Sequence, residues 1–245
     1  MAVRLLFPTY VFHRDLLNPE LPEEAGLTEE YVGMLKEEMD AMRRRDPVGR
    51  RLSNAYTGWQ SNDGCESSPI FQKLINRIER TFYDEVFPFH GLPSGTSMRV
   101  GNCWANINDF LAWNKPHLHN GCWYSGVFYI HAEGDEGNFC AIDTQPKVVA
   151  DFPHSPRTPT SWEFQPLTGQ LVLFPSGMMH MVEPNDTKKD RYSVSFNIEM
   201  KYGPKGNVGD IWNYDPNEFV FDLDECGNPA RVTALSLDTG SERNE

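Results

Sequence analysis

The chain has 245 residues and a mass of 28.0 kDa, with 39% apolar and 23% charged residues, so it can form one large domain with a substantial core and is not disordered, fibrous or repetitive in composition. Its 22 basic and 35 acidic residues give a net charge of −13, which repels phosphate backbones and anionic lipid, so neither nucleic acid nor a membrane is an expected partner. No apolar run approaches the roughly 20 residues that cross a bilayer. The opening MAVRLLFPTYVFHRD lacks a signal-peptide pattern and the five cysteines include no CxxC pair, so reduced thiols and a cytoplasmic location are expected.

Residues 1–95 read as mainly helical. Tyr31, Val32, Leu35, Met39 and Met42 recur at helical spacing from Thr28 to about Arg45, with Thr28 as N-cap, Glu29 and Glu30 in the first turn, and Arg43 to Arg45 as a solvated end. A second helix is expected from Pro69 to about Val86, capped by Ser68, its stripe formed by Ile70, Phe71, Leu74, Ile75, Ile78, Phe82 and Val86.

From Ser97 the texture changes to short β-type segments, about 98–107, 122–131, 138–143, 170–175 and 191–200, broken by Gly, Pro and Asn. Helices followed by a run of strands predict an α+β, mainly β fold: a double-stranded β-helix (jelly roll, cupin-like) with the N-terminal helices packed on one sheet. The expected organisation is a single domain over 1–245, with its β-helix core at 96–202 and a C-terminal extension at 203–245. Residues 144–168, rich in Pro, Ser and Thr, read as a surface loop or lid.

Three histidines carry the possible chemistry. In PHLHNGCWYSGVFYI, His117 and His119 stand two apart before an apolar strand, so an extended backbone points both imidazoles at one place. His180 follows the strand Leu171 to Phe174 across a Pro-Ser-Gly turn. In RYSVSFNIEM, Val194, Phe196, Ile198 and Met200 alternate with Arg191, Ser193, Ser195 and Asn197. Either the polar face lines the barrel, where Arg191 with Ser193 makes a carboxylate receptor, or it meets solvent and Arg191 pairs with an acid.

His117-x-His119, a distal His180 and Arg191-x-Ser193 in this order resemble the iron(II)- and 2-oxoglutarate-dependent oxygenases, and more narrowly a bacterial and phage 2OG-Fe(II) oxygenase family. Further matches are the LFPTYV-like opening (Leu6 to Val11), Ser53-Asn54 with Gly58-Trp59-Gln60-Ser61, Trp104-x-Asn106, His117 through Tyr129, Phe174 to His180, and Arg191 to Asn197. The resemblance implies Fe(II), 2-oxoglutarate as co-substrate and O₂, with His117, His119 and His180 as metal ligands and catalytic centre. It also implies Arg191 and Ser193 on the far carboxylate of 2-oxoglutarate, with Asn106 lining that pocket. Hydroxylation of a C–H bond with release of succinate and CO₂ is the implied outcome, on a small-molecule or peptide substrate, and a homo-oligomer is compatible with it.

One position departs from the family's HxD/E pattern: His119 stands where a carboxylate is usual, leaving the site one charge more positive. Three arrangements are open: all three histidines bind the metal; His119 points away and a nearby carboxylate such as Asp109 or Asp143 takes its position; or the third position is vacant, as in halogenases of this superfamily. Tyr124 and Tyr129 fall on opposite faces of their strand, so one of them points inward. Trp104 reads chiefly as core. Trp59 and Gln60 suit either a loop over the pocket mouth or a plain structural loop. His13, His90, His131 and His154 have no partner at ligand spacing. Two other functions fit the fold: a cupin-like metalloenzyme that does not use 2-oxoglutarate, and a non-catalytic jelly-roll binding module.

Overall fold

The structure is a computed structural model, described for residues 8–55, 57–92, 96–144 and 160–201 and for the pairs 222–223 and 229–230. The chain divides into two compact units, residues 1–92 with 96–201 and residues 93–95 with 202–245. In the second unit two strands are described, Asp222–Leu223 and Pro229–Ala230, paired antiparallel. Residues 145–159 of the loop or lid expected at 144–168, with His154, Cys226 and the first residues of the LFPTYV-like opening, lie outside the described residues.

Helix α1, Glu29–Arg45, starts as predicted: Thr28 Oγ1 accepts the Tyr31 amide at 3.2 Å, and Val32, Leu35 and Met39 are buried. Of the three arginines at its end, Arg43 pairs with Asp109 and Arg45 with Glu38. The second helical segment differs from its prediction at both ends. Ser68 makes no side-chain cap; instead a 3₁₀ turn, Pro69–Phe71, leads into α2, Gln72–Thr81. The helix then widens into a π turn, Phe82–Val86, and continues as α3, Phe87–His90, past the expected end. Pro88 has no amide hydrogen to donate and its ring crowds the carbonyl four residues back, so the wider turn lets the chain run on. Gly91, at φ +57°, ends it in the left-handed conformation.

The strands are β1 Phe12–Asp15, β2 Asn54–Ala55, β3 Trp59–Gln60, β4 Ser97–Asn108, β5 Trp113–His117, β6 Tyr124–His131, β7 Phe139–Ile142, β8 Ser161–Phe164, β9 Gln170–Pro175, β10 His180–Val182 and β11 Arg191–Lys201. They form two antiparallel sheets, a six-stranded one in the order β1-β9-β6-β11-β4-β3 and a five-stranded one in the order β2-β5-β10-β7-β8. This is the predicted jelly roll. Part of the expected 144–168 loop is strand, since β8 pairs with β7 from Phe139↔Phe164 to Ile142↔Ser161. Trp59 and Gln60 form an edge strand against β4 and not a flap, with the Trp59 ring in the core and its Nε1 donating to Asp46 O at 2.7 Å.

The helices pack on the larger sheet. Leu35, Met39, Phe71, Leu74, Ile78 and Phe82 join Val100, Ile107, Phe128, Val194, Phe196 and Ile198 in one buried cluster. The alternation on β11 therefore has a definite sense: Val194, Phe196 and Ile198 face the helices, whereas Ser193, Ser195 and Arg191 line the barrel interior. Truncating a ring such as Phe196 to alanine costs about 3–5 kcal/mol. The tight fit also requires Gly126 on β6, where a Cβ would lie 2.4 Å from Phe196 Cζ and 2.7 Å from Val172 O.

Candidate metal centre

β5 and β10 are neighbours in the smaller sheet, and their register pairs His117 directly with His180. Pro116 sits where that register shifts, a position at which a strand tolerates a residue with no amide donor. His119 lies just past the end of β5, fastened by its own amide to Ser176 O at 2.9 Å. The three rings therefore converge. Their centroids are 4.3 Å (His117 to His180), 5.1 Å (His119 to His180) and 5.3 Å (His117 to His119) apart, and one ligand nitrogen from each lies within 4.8 Å of the others. Two nitrogens on opposite sides of one ion at bond lengths of ~2.1 Å would be about 4 Å apart, so the three rings stand close to the spacing that a single metal would draw them to.

Backbone carbonyls set the tautomers. His117 Nδ1 lies 2.6 Å from Lys115 O and His180 Nδ1 lies 2.9 Å from Met178 O. A carbonyl only accepts, so each Nδ1 carries the proton and each Nε2 keeps its lone pair for a metal. The Asn197 side chain lies beside His119 and favours its protonated ring. Asn197 Nδ2 donates to Asn102 Oδ1 at 2.9 Å and its amide oxygen takes Ser125 Oγ–H at 2.8 Å, so the oxygen is the group that Asn197 can offer the imidazole. Trp104 stacks on the His119 ring at 5.8 Å and 19°.

All three rings are held neutral. Burial pushes the His180 pKa down to about 3 and that of His119 to about 4, with repulsion from His117 adding to both, and burial also lowers His117. Neutral imidazoles bind a cation without first giving up a proton.

The same cavity reaches Arg191, which is 2% exposed. Its Nη1 donates to Glu136 O and Gly137 O, both at 2.5 Å. Among the described residues it makes no ion pair, and the other N–H groups of the fork have no acceptor. Burial lowers its pKa, opposed by the fields of Tyr129, Glu136 and Glu183. Ser193 and Asn106, directly paired in register, line the wall between, with Asn106 Nδ2 donating to Ser195 Oγ at 3.0 Å. All six residues singled out from the sequence thus border one cavity.

The alternative ligands do not border it. Asp109 accepts from Arg43 at 2.9 Å, and Asp143 lines another cavity with Trp162 and Phe164. The tyrosine ambiguity resolves: Tyr129 lines the metal-side cavity, its pKa raised to about 12 by burial, while Tyr124 joins the helix-side core and bonds His90 at 2.8 Å. Trp104, read chiefly as core, also lines the cavity.

Residues 102–197 match a family model described as "Putative 2OG-Fe(II) oxygenase", a span that holds His117, His119, His180, Arg191 and Ser193. The match covers the strand core, the part of the chain that carries the three histidines and Arg191, and not the helices before it. The fold of this chain is similar to three solved structures. The non-heme α-ketoglutarate-dependent epimerase SnoN from nogalamycin biosynthesis is 13% identical, with a TM-score of 0.55 over 91% of each chain. The carbocyclase SnoK of the same biosynthesis is 13% identical, with a TM-score of 0.52 over 87% of this chain and 94% of that one. HygX from Streptomyces hygroscopicus, solved with nickel, 2-oxoglutarate and hygromycin B, is 14% identical, with a TM-score of 0.51 over 81% of this chain and 84% of that one. A search of curated protein sequences gave no match.

The family whose model matches implies Fe(II), 2-oxoglutarate and O₂, and the three histidines could hold the metal ion. The cavity also contains residues that sequence reasoning passed over: Ser53, Asn108 and Asn114, linked as Asn108 Nδ2 to Asn114 Oδ1 (3.3 Å) and Asn114 Nδ2 to Ser53 Oγ (3.1 Å). Their one signal was Ser53 within the family's Ser-Asn motif. Asn197 was visible as part of the polar face of β11, but not as the partner of His119. No helix among the described residues is long and apolar enough to cross a membrane.

Proposed function

We propose that His117, His119 and His180 together hold Fe(II), that Arg191 and Ser193 bind the far carboxylate of 2-oxoglutarate with Asn106 lining its pocket, and that the enzyme hydroxylates a C–H bond. The observation that carries this reading is one cavity with three neutral imidazoles at one end and, at the other, a buried guanidinium that makes no ion pair among the described residues. The imidazoles offer donors without charge, and a cation draws in the two negative charges of a 2-oxo diacid. The guanidinium supplies a bidentate receptor for the distal carboxylate. When bound, iron activates O₂ for substrate oxidation while 2-oxoglutarate is converted to succinate and CO₂. The protein's part is to orient both acids, to fix the imidazole tautomers through Lys115 O and Met178 O, and to keep Tyr129, Phe139, Phe174 and Val127 as a dry wall.

The reading extends to a small-molecule or peptide substrate and to a single catalytic domain that includes the helices of 1–95. A third imidazole, in place of the usual carboxylate, fits the tethering of His119 by Ser176, Asn197 and Trp104 better than a vacant position does. Anaerobic addition of Fe(II) and 2-oxoglutarate to the metal-free protein should give the visible charge-transfer band of an iron 2-oxo acid chelate. Admitting O₂ should then release succinate. No band, under conditions where a known oxygenase shows one, removes the reading in favour of a metalloenzyme that does not use 2-oxoglutarate or of a binding module.

A further inference from the structure

We infer that Glu136 is a positioning residue for Arg191, and through it sets the preference for a 2-oxo acid that carries a second carboxylate. This deepens the reading above and rests on it.

Glu136 lies in the turn from β6 to β7 and is fully buried. Its carboxylate does not reach out to a cation. It folds back into its own turn, where both oxygens accept the Glu133 amide at 3.0 Å and Oε2 accepts the Gly134 amide at 3.0 Å. A buried carboxylate satisfied by backbone donors locks the path of the chain around it. What that path presents to the cavity is a pair of carbonyls, those of Glu136 and Gly137, converging on Arg191 Nη1.

The two carbonyls use both hydrogens of Nη1 and so fix the plane of the guanidinium, leaving the rest of the fork for a ligand. The turn is clamped on its far side as well. Asn138 N donates to Glu183 Oε2 at 3.1 Å, and Glu183 N donates to Asn138 O at 2.9 Å. Gly137 takes φ +86°, and a Cβ there would lie 2.5 Å from Glu183 O, so the close approach that brings its carbonyl to Arg191 needs glycine.

The Glu136 carboxylate also supplies negative charge near Arg191 without pairing with the guanidinium. An ion pair would occupy the fork; a carboxylate held by amides one turn away compensates the buried cation and leaves its donors available.

The test compares 2-oxoglutarate with 2-oxopentanoate, identical save for the distal carboxylate, by titrating the charge-transfer band of the anaerobic Fe(II)-loaded protein. The wild type should bind 2-oxoglutarate more tightly. In Glu136→Ala the ratio of the two dissociation constants should shrink about tenfold, the scale of one misplaced charged hydrogen bond, by weakening 2-oxoglutarate alone. Fe(II) affinity should stay at the wild-type value. Glu136→Gln keeps the volume and one acceptor and should fall between, with at least about a threefold loss of ratio; it carries the test if the alanine variant does not fold. Variants that keep the wild-type ratio, or that lose both acids by the same factor, overturn the inference. A wild type that binds the two acids equally removes the role given to Arg191, and this inference with it.

Discussion

Among the described residues, three imidazoles meet at one end of the cavity with no carboxylate in their cluster, and at the other a guanidinium lies buried with no ion pair. The two ends were built differently. The imidazole end is assembled across the smaller sheet and a loop, each ring held by a carbonyl or an amide. The Arg191 end is delivered by the long central strand β11, whose other face is packed into the helix-side core. Each end lacks what a ligand would bring. Neutral donors leave a metal's charge uncompensated, and a desolvated cation stores an unfavourable energy that an anion relieves.

The strongest break of this comparison is at the imidazole end. His180→Gln should reduce Fe(II) affinity at least about a thousandfold, since two ligands hold a hard-to-select divalent ion poorly, as read by competition with a chromogenic chelator. Binding at the wild-type level would mean the metal sits elsewhere. Next comes the other end. Arg191→Met should leave Fe(II) binding intact and weaken 2-oxoglutarate about a hundredfold, the value of two charge-assisted hydrogen bonds, in a titration of the charge-transfer band. Equal loss of metal would show that the ends are not separable.

Acid should separate the two ends without mutation. In the unfolded chain these histidines take up protons near pH 6.5, whereas in the fold His119 and His180 stay neutral to about 4 and about 3. Below 6.5 the unfolded state therefore binds more protons, so stability present above that pH is lost as pH falls toward the folded values. Metal-free protein should lose about 2 kcal/mol between pH 7 and pH 5 in urea unfolding, allowing for partial exposure, and His180→Gln should flatten the slope. A slope unchanged by that substitution would show that burial of the ring is not its cause. The smallest effect is expected at Asn197→Ala, about tenfold in Fe(II) affinity through His119 alone, read by the same chelator competition. No change there would free His119 from Asn197.

How much of this the sequence disclosed depends on the range of the interactions involved. The alternation on β11 and the His-x-His pair are local patterns, and both their faces and their convergence followed from strand geometry. So did α1, whose cap and stripe are written in adjacent residues. By contrast β5, in WNKPH, carries a proline and no apolar alternation, and β10 is only three residues long; these strands exist because they pair with neighbours. The π turn before α3 depends on how Pro88 is accommodated, which no periodicity records. Tyr129 could not be told from Tyr124 until the helices were seen to cover the other face of β6. Asn197, Asn114 and the Glu136 carbonyl act through partners distant in sequence, and a single chain gives no local signal for such contacts.

The central claim concerns the number of imidazoles on the ion. X-ray absorption at the iron edge of the anaerobic Fe(II)-loaded protein counts them through the outer-shell scattering of each ring. The proposed reading expects three imidazoles. Two imidazoles with a protein carboxylate in the third place would contradict it.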